Sequence, residues 1–242
     1  MLYIIGLGLN EQGISLEGKE AIKKCKRIYL EGYTVKFSYS VKSLEIVLGR
    51  KVIPLDREYV ESEKLAQEAK DHNICLLVYG SPLFATTHMS LIEDCKKFGV
   101  EYRIIYAASI FDALAETGLQ LYKFGKISSM PKWEEGYHPD SFLNYVIENK
   151  KIDGHSLILV DIGLDIKEAL EQLETASKSR NLDIGKILVC SILGTKFKKI
   201  YYGKIEKLKE KKILAPFCLV IPGKMHFLEE DFLKKNIVST DN

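Results

Sequence analysis

The sequence has almost no excess charge of either sign and no long apolar run. Its 242 residues include 35 basic and 33 acidic side chains, which gives a formal net charge of +2. This balance gives no electrostatic case for nucleic-acid binding, because contacts to phosphates need concentrated positive charge. No apolar run approaches the ~18 residues that a membrane span requires. We therefore expect neither a nucleic-acid partner nor a membrane.

Cysteine pairs and metal-ligand clusters are also missing. The five cysteines are widely spaced, and none forms a Cys-x-x-Cys pair. Each lies in an apolar segment, a pattern that favours buried thiols over disulfides or zinc ligands and indicates a reducing, cytoplasmic compartment. No metal site is expected, because no set of ligands has suitable spacing. The first six residues have no basic region before their apolar run, which favours a first strand over a signal peptide.

The most informative segment that is present runs from Ile74 to His88. Its apolar residues 74–79 end abruptly at Gly80, which predicts a strand buried on both faces. A turn containing Pro82 follows, and Thr86 or Thr87 is expected to cap the next helix. The turn then lies at the carboxyl end of a buried strand, where open α/β sheets bind small molecules.

The rest of the chain predicts two α/β domains. In the first half, predicted strands alternate with helices, which implies a mostly parallel sheet. Those strands are residues 2–5, 27–30, 51–55, 74–79 and 102–107. A second series follows, with strands near 156–160, 186–192, 200–202 and 218–221, and its hairpin-like strands near Gly194 predict a mixed sheet. We place the N-terminal domain at 1–109 and the C-terminal domain at 110–242.

Two glycines follow the first predicted strand. Gly6 and Gly8 do not form the dinucleotide fingerprint, because the next glycine is Gly13 and the G-x-G-x-x-G spacing fails. Close glycines at a strand end let a ligand approach the backbone, but a plain tight turn explains them equally well.

Other strand ends also carry candidate residues. His88 could act as a base, although a lone histidine near a helix start is more often structural. Ser81 is not a nucleophile of the Gly-x-Ser-x-Gly type, because Pro82 follows it. Ser109 and His226 each follow a predicted strand, where a helix cap or a turn is the alternative to ligand contact. The sequence alone identifies no catalytic residue.

Five segments together give the chain a close resemblance to the diphthine synthases, a branch of the tetrapyrrole-methylase-like methyltransferases. They are residues 3–9 (Tyr-Ile-Ile-Gly-Leu-Gly-Leu), 80–88 (Gly-Ser-Pro-Leu-Phe-Ala-Thr-Thr-His), 108–110 (Ala-Ser-Ile), 117–126 (Thr-Gly-Leu-Gln-Leu-Tyr-Lys-Phe-Gly-Lys) and 222–226 (Pro-Gly-Lys-Met-His). The Ala-Thr-Thr-His and Tyr-Lys-Phe-Gly-Lys strings are the ones typical of the diphthine branch. The glycine-rich opening and the Gly-x-Pro turn are shared across the superfamily.

The resemblance implies the fold of this family and its chemistry. The fold has two α/β domains with S-adenosylmethionine in the cleft between them, in a homodimer. The implied substrate is translation elongation factor 2, at a histidine that carries an aminocarboxypropyl group. The implied reaction is trimethylation of that amino group, giving diphthine in diphthamide biosynthesis. Eukaryotic relatives also methylate the carboxylate.

The resemblance further implies which residues line the cofactor pocket. They are Leu9, Ser81, Phe84, Ser109, Ile110, Val160, Leu193 and His226. At two of these positions the sequence departs from the family pattern. Ser81 stands where the family has aspartate in a Gly-Asp-Pro turn, and Phe84 replaces a smaller aliphatic residue.

Two other functions remain as alternatives. One is a related methylase that acts on a porphyrinoid or on ribosomal RNA, against which the two diphthine-type strings argue. The other is a catalytically silent module that only binds S-adenosylmethionine.

Overall fold

A computed structural model describes residues 1–240 of the chain. The chain divides into two compact units, one of residues 1–112 and one that begins at Ala113. The boundary that the sequence placed after residue 109 remains a prediction.

The first unit is built on a parallel sheet of five strands in the order β3-β2-β4-β1-β5. Its strands are β1 (Leu2–Gly6), β2 (Arg27–Glu31), β3 (Ile53–Leu55), β4 (Ile74–Val78) and β5 (Tyr102–Ile105). Its helices are α1 (Leu16–Lys23), α2 (Val41–Leu48), α3 (Arg57–Val60), α4 (Lys64–Glu68), α5 (Met89–Phe98) and α6 (Ile110–Ala113). This confirms the predicted parallel sheet.

Strand β4 is buried on both faces, as its continuous apolar run predicts. All five residues of β4 are buried, and their side chains alternate between two hydrophobic clusters. Ile74 and Leu76 pack in one cluster with Leu2, while Cys75 and Leu77 pack in the other. This alternation follows from the two-residue period of a strand, so each face of the sheet has its own core.

The second unit contains a mixed sheet of six strands in the order β11-β9-β8-β10-β7-β6. Its strands are β6 (Ser128–Met130), β7 (Ser156–Val160), β8 (Ile187–Ser191), β9 (Lys199–Gly203), β10 (Phe217–Ile221) and β11 (Val238–Ser239). Its helices are α7 (Phe142–Lys151), α8 (Ile166–Ser179), α9 (Ile205–Leu208) and α10 (Phe227–Asn236), with 3₁₀ turns at Leu114–Thr117 and Leu121–Lys123. Strand β10 runs antiparallel to both of its neighbours, which confirms the predicted mixed sheet.

Candidate functional site

The ends of β1, β4 and β5 meet at one edge of the parallel sheet. Gly8 and Gly80 form an isolated bridge, in which Gly8 N donates to Gly80 O at 3.1 Å and Gly80 N donates to Gly8 O at 2.9 Å. A Cβ on Gly6 would lie 2.6 Å from Gly80 O, 2.7 Å from Pro82 Cδ and 3.0 Å from Ala107 Cβ. Since even a methyl group does not fit there, Gly6 permits this close packing of the three strand ends.

The predicted pocket residues of the first unit lie on the segments that leave these three strands. They are Leu9 after β1, Ser81 and Phe84 after β4, and Ser109 and Ile110 after β5. Leu9 is buried, and its carbonyl oxygen accepts a hydrogen bond from the Tyr79 hydroxyl at 3.1 Å. The structure thus brings these five residues to one edge of one sheet, which is where α/β proteins bind ligands.

Ser109 takes part in the local turn at the start of α6. Its N–H and its hydroxyl both donate to Asp112 Oδ2, at 2.6 and 2.8 Å. These two hydrogen bonds lower the pKa of the Asp112 carboxyl. Asp112 N in turn donates to Ser109 Oγ at 3.4 Å, the interaction expected of a helix cap.

The positive φ of Gly80 explains the glycine at this strand end. Gly80 has a φ of +71°, and a Cβ built on it would lie at ordinary packing distance from Ala108 O and Ser109 Cα, both at 3.9 Å. Its N–H and its carbonyl are both hydrogen-bonded to Gly8, and the residue is buried. The polar side chain that this turn offers to a ligand is therefore the half-buried Ser81.

The segment from Ser81 to His88 differs from the helix start that the sequence predicts. Helix α5 begins at Met89, with His88 in the N-cap position and no side-chain capping bond. The predicted cap by Thr86 or Thr87 is therefore wrong, and the Thr87 hydroxyl instead donates to Glu61 Oε1 at 2.9 Å. The reason lies in the preceding backbone, because Leu83 and Ala85 take left-handed conformations, with φ of 65° and 53°. Non-glycine residues rarely adopt such angles, and they cluster at functional sites.

A buried carboxylate lies at the end of the neighbouring strand β2. Glu31 is completely buried and accepts hydrogen bonds from Tyr33 N, Thr34 N and Thr34 Oγ1, at 2.8, 2.8 and 2.7 Å. The Tyr33 hydroxyl lies 3.5 Å from Nε2 of His88, which is also buried. Burial lowers the pKa of His88, while the charge of Glu31 opposes that shift. Our sequence analysis missed Glu31 and Tyr33, although a glutamate that ends an apolar strand was a visible signal.

The second unit does not bring its three predicted pocket residues to one edge of the sheet. Val160 ends β7 and Leu193 follows β8, and both of these strand ends lie beside Phe217 at the start of β10. His226 follows the opposite end of β10, where Ile221 pairs with Ser156. The antiparallel direction of β10 causes this separation. The assignment of all three residues to one pocket remains a prediction.

His226 is the N-cap of α10. Its Nδ1 accepts a hydrogen bond from Leu228 N at 3.3 Å, and its own N–H donates to Glu229 Oε2 at 2.6 Å. These two bonds form a capping box, which satisfies backbone donors at the helix start.

Glu229 is the centre of a buried polar network. It is completely buried and accepts hydrogen bonds from Gln120 N and His155 Nε2 on Oε1, and from His226 N and Lys123 Nζ on Oε2. Burial alone would raise the pKa of this carboxyl, but the four hydrogen bonds hold it at about 2. Glu229 is therefore ionised at every physiological pH.

His155 connects this network to the Pro-Gly turn after β10. Gly223 N donates to His155 Nδ1 at 2.9 Å, so the proton of the neutral ring lies on Nε2 and is donated to Glu229. Burial lowers the pKa of His155 and keeps the ring neutral. Lys123 contacts the same turn, since its Nζ donates to Lys224 O at 2.7 Å. Two of the segments behind the family resemblance, residues 117–126 and 222–226, thus meet in one network.

The Tyr-Lys-Phe-Gly-Lys string has a structural role in this unit. Lys126 N donates to Asn149 Oδ1 at 2.9 Å, and Asn149 Nδ2 donates to Lys126 O at 2.9 Å. A side chain on Gly125 would collide with the Asn149 amide, which explains the glycine. Our sequence analysis missed Asn149, His155 and Glu229, because most of the residues they bind are distant in sequence.

Residues 1–240 contain neither a membrane-spanning helix nor a cluster of metal ligands. None of the helices formed by these residues has the length and apolar character to cross a membrane. The same residues contain no group of three or more histidine, cysteine, aspartate or glutamate side chains placed to bind a metal ion.

Comparison with known proteins identifies relatives over the whole length of the chain. Residues 1–209 match the family model of the Tetrapyrrole (Corrin/Porphyrin) Methylases. A protein of Methanocaldococcus jannaschii named diphthine synthase is 40% identical, over 97% of this chain and 98% of the relative. A protein of Schizosaccharomyces pombe named diphthine methyl ester synthase is 34% identical, over 100% of this chain and 96% of the relative. A crystal structure of diphthine synthase superposes with a TM-score of 0.89 at 30% identity, covering 98% of this chain and 96% of that one.

Proposed function

The chain belongs to the tetrapyrrole methylase family and, within it, to the diphthine synthases, and from this premise we propose that it methylates translation elongation factor 2. It is an S-adenosylmethionine-dependent methyltransferase of diphthamide biosynthesis. The target is the amino group of the aminocarboxypropyl chain that a histidine of the factor carries, and three methyl groups are added to give diphthine. The observation that carries this proposal is the likeness to diphthine synthases along nearly the full length of both chains.

The strand edge of the first unit supports cofactor binding. When bound, S-adenosylmethionine supplies a methyl group on a sulfonium, which is already an activated electrophile. The hydroxyl of Ser81 would bind the cofactor, with Leu9, Phe84, Ser109 and Ile110 on the neighbouring segments. Val160, Leu193 and His226 are proposed contacts from the second unit.

The chain's main catalytic task in this proposal is positioning. An amine needs only a free lone pair in line with the methyl carbon, and holding it there contributes roughly 7–11 kcal/mol by proximity. A strong catalytic base is not required, although each ammonium must lose a proton before the next transfer. This agrees with a sequence that shows no triad and no acid pair.

A second candidate activity is methylation of the carboxylate as well. The relative named diphthine methyl ester synthase, which aligns with the entire chain, favours this activity. An ester methyl is removed by mild alkali, whereas methyl groups on nitrogen are not.

We test the proposal by measuring the intact mass of elongation factor 2 that carries the aminocarboxypropyl group. After incubation with the chain and S-adenosylmethionine, the mass should increase by three methyl groups, and mild alkali should remove none of them. A fourth, alkali-labile methyl group would establish the ester activity. Cofactor binding without any mass increase would instead indicate a silent module, and transfer only to a porphyrinoid or ribosomal RNA would indicate the related methylases.

Two finer properties belong to the same proposal. We propose that the chain works as a homodimer, as the family resemblance implies. We also propose a cytoplasmic location, which the five free and buried cysteines support, since thiols persist in a reducing compartment.

A further inference from the structure

The two strings typical of the diphthine branch differ in whether their polar groups have hydrogen-bond partners. The two lysines of the Tyr-Lys-Phe-Gly-Lys string, Lys123 and Lys126, make hydrogen bonds within the second unit. The Ala-Thr-Thr-His string leaves two buried polar atoms without a hydrogen-bond partner among residues 1–240, Thr86 Oγ1 and His88 Nδ1. Buried polar atoms are nearly always paired, so two orphans within three residues point to a missing partner.

We propose that Thr86 Oγ1 and His88 Nδ1 form an amine subsite that binds the reacting amino group of the substrate. This inference rests on the proposed function. Because all members of the superfamily share the cofactor but not the substrate, a string typical of one branch is expected to contact the substrate. Ser81 and Phe84, two of the proposed cofactor contacts, lie in the same segment of the chain.

The surroundings of His88 suit an acceptor. Its Nε2 faces the hydroxyl of Tyr33, whose ring lies under the guanidinium of Arg57, at 5.3 Å from the ring centroid. The proposal requires the tautomer in which Nε2 carries the ring proton and faces the Tyr33 oxygen, because Nδ1 then has the free lone pair. Burial keeps the pKa of His88 below its ordinary value, so the ring is neutral at physiological pH. The charges of Glu31 and Glu61 oppose this shift, and burial is the larger effect.

The number of acceptors matches the chemistry of the first methyl transfer. A neutral primary amine has two N–H bonds, and donating both to Thr86 and His88 leaves its lone pair free to attack. In each transfer the nitrogen lone pair forms the N–C bond, and the S–C bond breaks with its electrons remaining on sulfur. After the first and second transfers the product ammonium releases one proton to solvent, whereas the third transfer gives a quaternary ammonium that has no proton to release. The neutral amine therefore has one N–H bond before the second transfer and none before the third.

The backbone between the two proposed sites is strained. Leu83 and Ala85 both take left-handed φ angles in the segment that joins Ser81 to Thr86. Strain of this kind persists where the surrounding structure fixes a chain segment for function. The strained backbone is therefore a second observation that supports the proposal.

Two variants test the subsite. Thr86→Val removes one acceptor with almost no change of shape, and His88→Leu removes the other. Each transfer is followed by the intact mass of the elongation factor in single-turnover reactions, and its affinity for the chain is measured with S-adenosylhomocysteine present. Both variants should slow the first methyl transfer about tenfold or more, since a buried donor is left unpaired, and the third transfer should keep the wild-type rate.

Matched controls separate this role from a purely structural one. Thr87→Val removes the adjacent hydroxyl, which already donates to Glu61, and all three transfers should keep the wild-type rate. His88→Asn restores an acceptor and should recover part of the first transfer. In Thr86→Val and His88→Leu, affinity for the elongation factor should fall while affinity for S-adenosylmethionine stays within about twofold.

The possible results distinguish the two proposals. If the wild-type chain transfers no methyl group to the elongation factor, the proposed function fails and the subsite with it. If the wild type is active and Thr86→Val and His88→Leu match it in the first transfer, the subsite alone is wrong. Equal slowing of all three transfers also overturns it, because the third transfer involves no N–H bond.

Discussion

Replacing Glu229 with glutamine should lower the free energy of unfolding by about 3 kcal/mol at neutral pH. The carboxylate has four lone-pair positions and accepts from four donors, on Gln120, Lys123, His155 and His226. A glutamine side chain offers one oxygen and one NH₂ group, so two of the four buried donors would face another donor. The network therefore needs a carboxylate and not an amide.

The magnitude follows from the pKa of Glu229 in the folded protein. The difference between the ordinary value of 4.5 and about 2 corresponds to about 3 kcal/mol of stabilisation by the ionised form. An independent estimate gives about 3–5 kcal/mol for removing one partner of a buried ion pair. Lys123 retains some exposure, 22% of its side chain, which favours the lower end of that range. The melting temperature should fall by about 6–12 °C.

Urea unfolding followed by tryptophan fluorescence measures this loss of stability in the second unit of the chain, which contains Glu229. Trp133 is the single tryptophan of the chain, and it packs against the hydrophobic core of the second unit, which also contains Glu229. Glu230→Gln is the matched control, because Glu230 is the adjacent residue of α10 and makes only an exposed ion pair with Lys234 at 3.7 Å. This control should change the unfolding free energy by less than about 0.5 kcal/mol.

The pH dependence of this difference gives a second test. Because folding lowers the pKa of Glu229, its stabilisation is complete above pH 4.5 and is lost as the pH falls from 4.5 towards 2. The difference between wild type and Glu229→Gln should therefore be constant above pH 5 and shrink below it. A loss under about 1 kcal/mol at pH 7, or an equal loss in Glu230→Gln, would refute this account of the network.

Three further predictions concern the sheet edge and His155. Ser81→Asp should tighten S-adenosylmethionine binding about fivefold in calorimetry, because a charged hydrogen bond to the cofactor's amino group adds about 1 kcal/mol. Unchanged binding would contradict a contact between residue 81 and that amino group. Gly6→Ala should cost about 1–3 kcal/mol in urea unfolding through overpacking, whereas Gly32→Ala, which meets no atom within 4 Å, should be nearly neutral; equal effects would show that the strand ends are not tightly packed. Because burial lowers the pKa of His155, the unfolding free energy in the fluorescence assay should decrease as the pH falls below 6.5. His155→Asn should make this decrease smaller. An unaltered pH profile in the variant would mean that other groups cause the decrease.

The architecture of both units was predictable because hydrophobic patterning is local. The apolar run of β4 predicted that both faces of this strand are buried, and the glycine after the run predicted where the strand ends. The mixed sheet followed from the hairpin-like strands near Gly194. Helices α2 and α10 were missed; few of the residues in either helix are buried.

The candidate site was only partly predictable, because its contacts join distant parts of the chain. Family resemblance identified Ser81 and Ser109, and the structure places both at one sheet edge. The resemblance could not show that Val160 lies beside the start of β10 whereas His226 follows its end. The direction of a strand within its sheet is known only from the assembled structure. Nor does local pattern predict a network between Lys123 and Glu229, which are more than a hundred residues apart.

The capping error after β4 has a specific cause. Two threonines before an amphipathic helix normally predict an N-cap. Here Leu83 and Ala85 adopt left-handed angles that no sequence rule anticipates for such residues, and the helix starts later. The local rule fails where the backbone is strained, and that failure marks the segment in which we place the substrate amine.

The most direct test of the central claim is the site of methyl transfer on elongation factor 2. The purified chain is incubated with methyl-labelled S-adenosylmethionine and with two forms of the factor, one carrying the aminocarboxypropyl-histidine and one with that histidine left unmodified. We predict label only on the modified form, on the nitrogen of the aminocarboxypropyl group and stable to mild alkali. Label on both forms, or on neither, would contradict the account.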